Sequence, residues 1–362
     1  MAGAVAFGYN WRVAHDNPMG TDGFEFVEYT AEDPARLGAL FESMGFVRVA
    51  RHRSKDVVLF RQGEINFIVN SEPDSFSQEF ARAHGPSICA IALRVKDAPR
   101  AYARALSLGA RPHQGKIGPM ELAIPAIKGI GESAIYLVDR YGERSIYDVD
   151  FVPIAGAAAR PSGVGLDHID HLTHNVERGR MQVWAEFYER IFGFREIRYF
   201  DIKGKLTGLH SRALCSPCGK IRIPINESAD DKSQIAEYLR EYRGEGIQHL
   251  ALGCQDIHAS VEALVARGIR LLDTPDSYYE LLEQRLPGHG QALDRLRKNR
   301  ILLDGSTEGD RRLLLQIFTE TVIGPIFFEL IQRKGDEGFG EGNFQALFQA
   351  MELDQVKRGV LS

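Results

Sequence analysis

The sequence predicts an α+β protein of two domains, in which each domain is built from two similar modules of one strand, one helix and three further strands. Three observations predict this class: an internal repeat, an alternation of strand-like and helix-like segments, and a flexible linker near the middle of the chain. With 362 residues, 44% of them hydrophobic, the chain is long enough to bury two cores.

An internal repeat relates the two halves at a constant offset of 159 residues, which leads from Ala90 to His249. Residues 87–93 (SICAIAL) match residues 246–252 (GIQHLAL), and an aspartate and then a glycine follow both segments at the same distances. Between these two markers, apolar residues recur at helical spacing in both copies. Each copy therefore reads as a strand, a helix, a glycine and a further strand.

A second pair of similar segments lies upstream in the two halves. Residues 24–29 and residues 168–174 are strand-like, and each segment is followed by a helical pattern that ends in Gly-Phe. Further strands rich in Val, Ile and Phe complete the modules. They are predicted at residues 56–60, 65–69, 135–138, 221–225 and 313–318, and a last helix is predicted after the glycine-rich residues 338–344.

Residues 154–163 (IAGAAARPSG) consist mainly of small residues with Gly and Pro, which is typical of a flexible linker. We therefore predict an N-terminal domain at residues 1–155 and a C-terminal domain at residues 164–362.

Composition narrows the function classes. The net charge of −5, with both signs mixed along the chain, argues against a nucleic-acid partner. No apolar run approaches the length of a membrane span and the N-terminus lacks a signal pattern, so we expect a cytoplasmic protein. Four cysteines are too few for a disulfide framework. The pair Cys215 and Cys218 is expected in a hairpin turn, although a disulfide there stays open.

One carboxylate stands in an otherwise apolar strand, because Glu329 interrupts residues 326–331 (IFFELI). A buried charge is costly unless it is paired, hydrogen-bonded or bound to a metal. Two histidines in similar settings, His171 and His249, offer such partners. Two histidines and one carboxylate form the facial triad of non-haem Fe(II) oxygenases, although other metals use the same ligands.

The alternative is an ion pair between Glu329 and Arg333 or Lys334, with both histidines hydrogen-bonded in a core. The repeat favours the metal, because Ala90 occupies in the first half the position that His249 has in the second. A ligand becomes dispensable once a half gives up its chemistry.

The arrangement of four modules with ligands in one half resembles the vicinal-oxygen-chelate superfamily, and the local sequences resemble the 4-hydroxyphenylpyruvate dioxygenases. The matching segments include residues 170–175 (DHLTHN), 222–226 (RIPIN), 244–249 (GEGIQH), 314–318 (LLQIF), 328–333 (FELIQR) and 338–344 (GFGEGNF). They run through nearly the whole second half. The first half resembles the family in layout and in residues 26–29 (FVEY).

This resemblance implies that each domain forms an open, strongly curved half-barrel and that the C-terminal helix covers the active site. It implies one Fe(II) per chain, held by His171, His249 and Glu329. The neighbours His168 and His174 are less suited as ligands, because an odd step along a strand turns a side chain to the other face. The first half, without ligands, is expected to be structural and to mediate assembly of the chains into a homodimer or homotetramer.

The family's catalytic and substrate-binding residues also carry over. Polar residues with expected catalytic or positioning roles are Ser211, Asn226, Gln248 and Gln316. Expected substrate-binding residues are Pro224, Gln234, Phe318, Phe327, Phe339 and Phe344. Aromatic rings can stack on a phenol while amides and a hydroxyl bind its polar ends.

The implied reaction converts 4-hydroxyphenylpyruvate, a small aromatic 2-oxo acid, and dioxygen into homogentisate and carbon dioxide in tyrosine catabolism. Three alternatives stay open. Hydroxymandelate synthase uses the same substrate and triad but hydroxylates the benzylic carbon; Pro224, Asn226 and Phe327 favour ring hydroxylation over it. A non-catalytic binding protein of the superfamily and an extradiol ring-cleaving dioxygenase are the other two.

Overall fold

The computed structural model describes residues 16–118, 120–203, 208–231, 233–343 and 346. They form two sheets flanked by helices, which confirms the predicted α+β class. Within these residues, none of the helices combines the length and the hydropathy that crossing a bilayer requires.

Strands and helices alternate in the first half as its sequence pattern indicates. The elements are β1 (Thr21–Thr30), α1 (Pro34–Ser43), β2 (Val47–His52), β3 (Val57–Gln62), β4 (Ile65–Asn70), α2 (Phe76–His84), β5 (Ser87–Val95), α3 (Ala98–Ser107), β6 (Pro112–His113), β7 (Ala126–Lys128), β8 (Ala134–Val138), α4 (Tyr147–Asp150) and β9 (Phe151–Pro153), with a short 3₁₀ turn at Ile130–Glu132.

The second half repeats the order from β1 to β8, with two additional helices after the counterpart of α3. Its elements are β10 (Leu166–Val176), α5 (Met181–Phe192), β11 (Arg195–Lys203), β12 (Gly208–Cys215), β13 (Arg222–Ser228), α6 (Gln234–Tyr242), β14 (Gly246–Cys254), α7 (Ile257–Ala266), α8 (Asp276–Arg285), α9 (Leu293–Lys298), β15 (Leu302–Ser306), β16 (Arg312–Phe318) and β17 (Phe327–Lys334).

Strand pairing follows the same scheme in both halves. The sheet orders are β6-β7-β8-β5-β1-β4-β3-β2-β9 and β11-β12-β13-β10-β14-β17-β16-β15. In the first sheet, β1 pairs parallel with β4 and antiparallel with β5, and β10 does the same with β13 and β14. Likewise, β5 pairs parallel with β8 as β14 does with β17. Each sheet therefore joins two modules of one strand, one helix and three strands.

The two markers of the sequence repeat have a structural cause. Asp97 and Asp256 are the N-caps of α3 and α7, and their side chains accept hydrogen bonds from the backbone N–H groups three residues later. After each helix the chain turns at a glycine with positive φ, +85° at Gly109 and +84° at Gly268. The aspartate of the repeat thus marks the beginning of one helix in each half, and the glycine marks its end.

Residues 154–163 form neither helix nor strand. The domain boundary there stays a prediction. The halves also share a core, since the rings of Phe67 in β4 and Phe328 in β17 stack with centroids 6.0 Å apart. Both rings are fully buried. Aromatic contacts between the sheets thus hold the second half, which carries Glu329 next to Phe328, against the first.

The pair of cysteines lies in the predicted hairpin turn between β12 and β13. Gly219 N–H donates to the carbonyl oxygen of Ser216 at 2.9 Å, and the thiols of Cys215 and Cys218 are free. Burial raises the pKa of Cys215 to about 11. A thiol that stays protonated at neutral pH is a poor redox nucleophile, which favours the turn over a redox site.

Replacing Phe67 with Ala should lower the free energy of unfolding by about 3–5 kcal/mol, because the variant leaves a cavity where the ring meets Phe41, Phe46 and Phe328. Chemical denaturation measures the loss. Val265→Ala, on the exposed side of α7, is the control and should change stability by less than about 0.5 kcal/mol. Equal stability of both variants would contradict the shared core.

Candidate metal centre and cavity

The register of three neighbouring strands brings the predicted ligands together. Ala251 in β14 pairs with His171 in β10 on one side and with Glu329 in β17 on the other. His249 lies two residues before Ala251 and therefore on the same face of the sheet. The three ligand side chains thus project to one side from adjacent strands, although they are far apart in sequence.

The distances between the three side chains suit a metal. Their ligand atoms lie within 4.8 Å of one another. A carboxylate oxygen of Glu329 is 3.2 Å from Nε2 of His171 and 3.6 Å from Nε2 of His249. Glu329 and His171 are buried, and the side chain of His249 is 12% exposed. Both imidazoles therefore turn the same nitrogen toward one buried carboxylate.

The alternative ion pair is not present. Arg333 binds Asp170, and the Lys334 ammonium group donates to Gln291. Within the described residues, the ion-pair partners of Glu329 are the two histidines. A buried carboxylate that faces two imidazole nitrogens and no Lys or Arg fits a cation between the three groups.

The pKa shifts agree with this arrangement. Burial lowers the pKa of His171, but the carboxylates of Glu329 and Asp170 outweigh burial and raise it above its ordinary value. Burial, and then the proximity of His171, lower the pKa of His249 well below its ordinary value. His249 is thus neutral at neutral pH, as a ligand must be.

Asp170 fixes the ring of His171. Its carboxylate accepts a hydrogen bond from Nδ1 of His171 at 2.8 Å, which leaves Nε2 for Glu329 or a metal. Burial raises the pKa of Asp170, but the Arg333 guanidinium outweighs burial and holds it well below its usual range. A bulge between Ile169 and His171 brings this carboxylate beside its neighbour in sequence.

His249 is held in a similar way by Gln248 and Phe327. The side-chain oxygen of Gln248 is 3.1 Å from Nδ1 of His249. The Phe327 ring stacks on the imidazole, with centroids 4.7 Å apart and planes at 18°. Both residues, predicted to bind or position the substrate, therefore contact a candidate ligand.

A cavity opens on the free side of the three ligands. Six residues predicted for the substrate pocket line it together with the ligands, namely Ser211, Pro224, Asn226, Gln316, Phe318 and Phe339. Four further lining residues were missed from the sequence: Thr173, Phe200, Leu209 and Glu341. The strand period could have found the first three, since Thr173 and Leu209 lie two residues from predicted positions and Phe200 pairs with Ser211.

Of the four predicted residues outside this lining, Gln248 and Phe327 contact His249, and the other two are Gln234 and Phe344. Gln234 is exposed in the first turn of α6, beyond the N-cap Ser233. Tyr238 of this helix donates to the carbonyl oxygen of Ile247 at 3.0 Å, so the helix packs beside β14, while Gln234 faces solvent. Phe344 lies outside the described residues, as does most of the predicted C-terminal helix.

The glycine-rich segment before this helix forms one wall of the cavity because its glycines permit close approach. A Cβ atom at Gly340, where φ is +75°, would overlap the side-chain oxygen of Gln316. The amide group of Asn343 donates to the same oxygen at 3.2 Å, and Asn343 in turn accepts from Tyr278. This hydrogen bond orients the Gln316 amide at the cavity wall.

The first half has a packed counterpart of the metal centre. In the equivalent register, Ala92 in β5 pairs with Phe26 in β1 and with Tyr136 in β8. The two aromatic rings contact each other with centroids 5.7 Å apart. Phe26, Ala90 and Tyr136 therefore stand where the second half has His171, His249 and Glu329, and the ligand positions are filled by a core.

Two family models match the chain. Residues 15–152 match hydroxyphenylpyruvate dioxygenase, N-terminal, and residues 166–282 match the glyoxalase/bleomycin resistance protein/dioxygenase superfamily. The chain is 59% identical to the 4-hydroxyphenylpyruvate dioxygenase of Pseudomonas aeruginosa, over 97% of this chain and 99% of the relative. The chain belongs to the 4-hydroxyphenylpyruvate dioxygenase family.

Two further proteins that this chain is similar to carry other names. A protein of Vibrio vulnificus called hemolysin VllY is 61% identical over 96% of this chain and 98% of its own length. The solved structure of a triple mutant of 4-hydroxymandelate synthase from Streptomyces coelicolor is 28% identical, with a TM-score of 0.79 over 93% of this chain and all of that chain. The predicted fold and family are confirmed, and one fold accommodates more than one reaction.

His174, on the opposite face of β10 from His171, should make the stability of the protein depend on pH. His174 is fully buried against Tyr188, whose hydroxyl lies 2.7 Å from Nε2, and burial lowers the pKa of His174 to about 3. The unfolded chain, with a pKa of about 6.5, binds this proton first. The stabilisation is therefore complete above pH 6.5 and is lost as the pH falls toward 3.

Replacing His174 with Gln should consequently reduce the loss of stability between about pH 6.5 and pH 5 by about 2 kcal/mol relative to the unmodified protein. Denaturation at both pH values measures this difference. Val183→Ala, at an exposed position of α5, removes no titratable group and should leave the pH dependence unchanged. If His174→Gln loses as much stability as the unmodified chain, His174 does not stay neutral in the folded state.

Proposed function

We propose that this protein is an Fe(II)-dependent dioxygenase that converts 4-hydroxyphenylpyruvate and dioxygen into homogentisate and carbon dioxide. The observation that carries the proposal is the group His171, His249 and Glu329, whose free side faces a cavity of aromatic and amide side chains. Family membership supports the reaction, and the donor set supports iron.

His171, His249 and Glu329 would hold one Fe(II), and the cavity beside them would admit the substrate and dioxygen. When bound, the iron supplies a site for the 2-oxo acid group and dioxygen and the electrons that activate dioxygen. Asp170 and Gln248 keep both imidazoles in the orientation that presents Nε2. The substrate carries its own 2-oxo acid, so one oxygen atom enters the carboxylate of the product and the other enters the ring.

The phenol ring would lie against Phe318 and Phe339, which both line the cavity. Phe344 stays a predicted third aromatic contact. Neutral groups would then bind the phenol, because Ser211, Asn226 and Gln316 offer hydroxyl and amide hydrogen bonds. The aromatic lining would also exclude water from the cavity.

Two other predictions remain as they were made from the sequence. A homodimer or homotetramer is still an expectation. The cytoplasm likewise remains the predicted compartment.

Anaerobic loading with Fe(II), followed by 4-hydroxyphenylpyruvate and air, tests the proposal. We expect one dioxygen consumed for each homogentisate and carbon dioxide formed. Homogentisate and 4-hydroxymandelate have the same mass, so chromatography against both standards must separate them. Hydroxymandelate as product would keep the metal centre and overturn the assignment of Pro224, Asn226 and Phe327 to ring hydroxylation. No iron-dependent product would favour a binding protein.

Replacing Glu329 with Gln should weaken Fe(II) binding by more than about 100-fold, since even partners that only orient a ligand contribute 10- to 100-fold. Turnover should be lost with the metal. Equilibrium dialysis of iron and the rate of oxygen uptake give both values. Glu320→Gln removes a carboxylate of the same length from the surface ion pair with Arg270 and is the control. Full iron content with full turnover in Glu329→Gln would refute the triad.

A further inference from the structure

The carboxylate of Asp170 connects a candidate metal ligand to one wall of the cavity. On one side it accepts from Nδ1 of His171 at 2.8 Å. On the other it accepts from the Arg333 guanidinium, at 2.7 Å from Nε and 2.8 Å from Nη2. Asp170 is 2% exposed, so this ion pair is shielded from water. Two parallel hydrogen bonds of this kind fix orientation as well as charge.

The same guanidinium also holds the chain that follows β17. Nη1 of Arg333 donates to the backbone carbonyl oxygen of Asp336 at 3.0 Å and to that of Gly338 at 2.7 Å. We call residues 336–339 the wall segment. One edge of the Arg333 guanidinium thus binds Asp170, and its remaining nitrogen binds the wall segment.

Phe339, the last residue of the wall segment, lies beside the candidate metal centre. The Phe339 ring lies under the Arg333 guanidinium, 5.8 Å from its centroid, and meets the His171 imidazole edge-on at 5.3 Å. A second arginine supports the segment, since Arg222 donates to Glu337 at 2.5 Å and lies 3.5 Å from Asp170. The orientation of His171 and the position of Phe339 therefore depend on the same group of charges.

We propose that Arg333 is a positioning residue that couples the metal ligand His171 to the wall segment. Through Asp170 it fixes the imidazole for the metal, and through two carbonyl groups it fixes the residues that close the cavity around the substrate. Such a coupling is reciprocal, because a metal that binds the fixed arrangement better must also stabilise the wall segment. The inference rests on the metal-binding part of the proposed function.

The side-chain type matters in this role. Arginine presents several N–H donors in a rigid plane, and four of its hydrogen bonds are used here. A lysine would keep the charge beside Asp170 but has one nitrogen and cannot span a carboxylate and two carbonyl groups at once. Arg333→Lys should therefore retain part of the metal affinity and lose the ordered wall segment.

Three variants test the coupling: Arg333→Gln, Arg333→Lys and Lys334→Gln. The last is the matched control, because it removes a cation from the next residue, whose ammonium group binds Gln291 instead. Calorimetric titration with Co(II), and the visible absorption of the bound ion, report affinity and coordination geometry without turnover. Hydrogen exchange of residues 335–343, in the metal-free protein, reports the order of the wall segment together with the residues that flank it.

We expect Arg333→Gln to bind Co(II) about 10- to 100-fold more weakly, with an altered absorption spectrum. Exchange of residues 335–343 should be about 10-fold faster in both Arg333 variants, and Lys334→Gln should behave as the unmodified protein. Wild-type metal affinity and spectrum in Arg333→Gln would overturn the proposal, as would unchanged exchange in both variants.

The unmodified protein supplies a test that requires no substitution. Adding Co(II) should slow exchange of residues 335–343, and exchange that is indifferent to the metal would also overturn the coupling. Failure of the unmodified protein to bind Co(II) or Fe(II) is a different result, because it refutes the proposed metal centre itself. Normal metal binding and turnover without the coupling leaves the proposed function intact and removes only the role of Arg333.

Discussion

The candidate site depends on the register of β10, β14 and β17. Because side chains alternate along a strand, a shift of either outer strand by one residue would turn its ligand to the opposite face of the sheet. Ala251 is central to this register, since it pairs with both His171 and Glu329 and its small side chain leaves the space between them open. Phe318 continues the same row beside Glu329, so the register also places the first aromatic residue of the cavity.

Charge is distributed so that one carboxylate is neutralised by the protein and another is left for a cation. Asp170 and Glu329 are both buried beside His171, but within the described part of the chain only Asp170 is bound by arginine. An arginine next to Glu329 would remove the reason for a metal to bind there. The bidentate pair of Asp170 and Arg333 makes a second buried carboxylate tolerable, and this carboxylate can then orient a ligand without competing for the cation.

The sequence was sufficient for the modules, because these leave periodic signals, and it singled out the three residues that the structure brings together. The markers Asp97 and Asp256 proved to be helix caps, and the odd step from His171 to His174 put the latter on the other face, against Tyr188. Contacts that depend on irregular backbone were not predictable. The bulge that brings Asp170 beside His171 has no sequence signature, and the link from Arg333 to the wall segment joins the end of a strand to a loop.

Gln234 shows the limit of residue-by-residue transfer from a family, since it lies exposed in the first turn of α6, away from the cavity lining. The first half shows the converse, that one arrangement of strands supports either a core or a site. Phe26 and Tyr136 take the sheet positions that His171 and Glu329 have in the second half, and their rings contact each other there. The sheet therefore does not need a metal to close. What the second half adds is a buried carboxylate whose desolvation must be offset, and groups outside the triad orient the two imidazoles that face it.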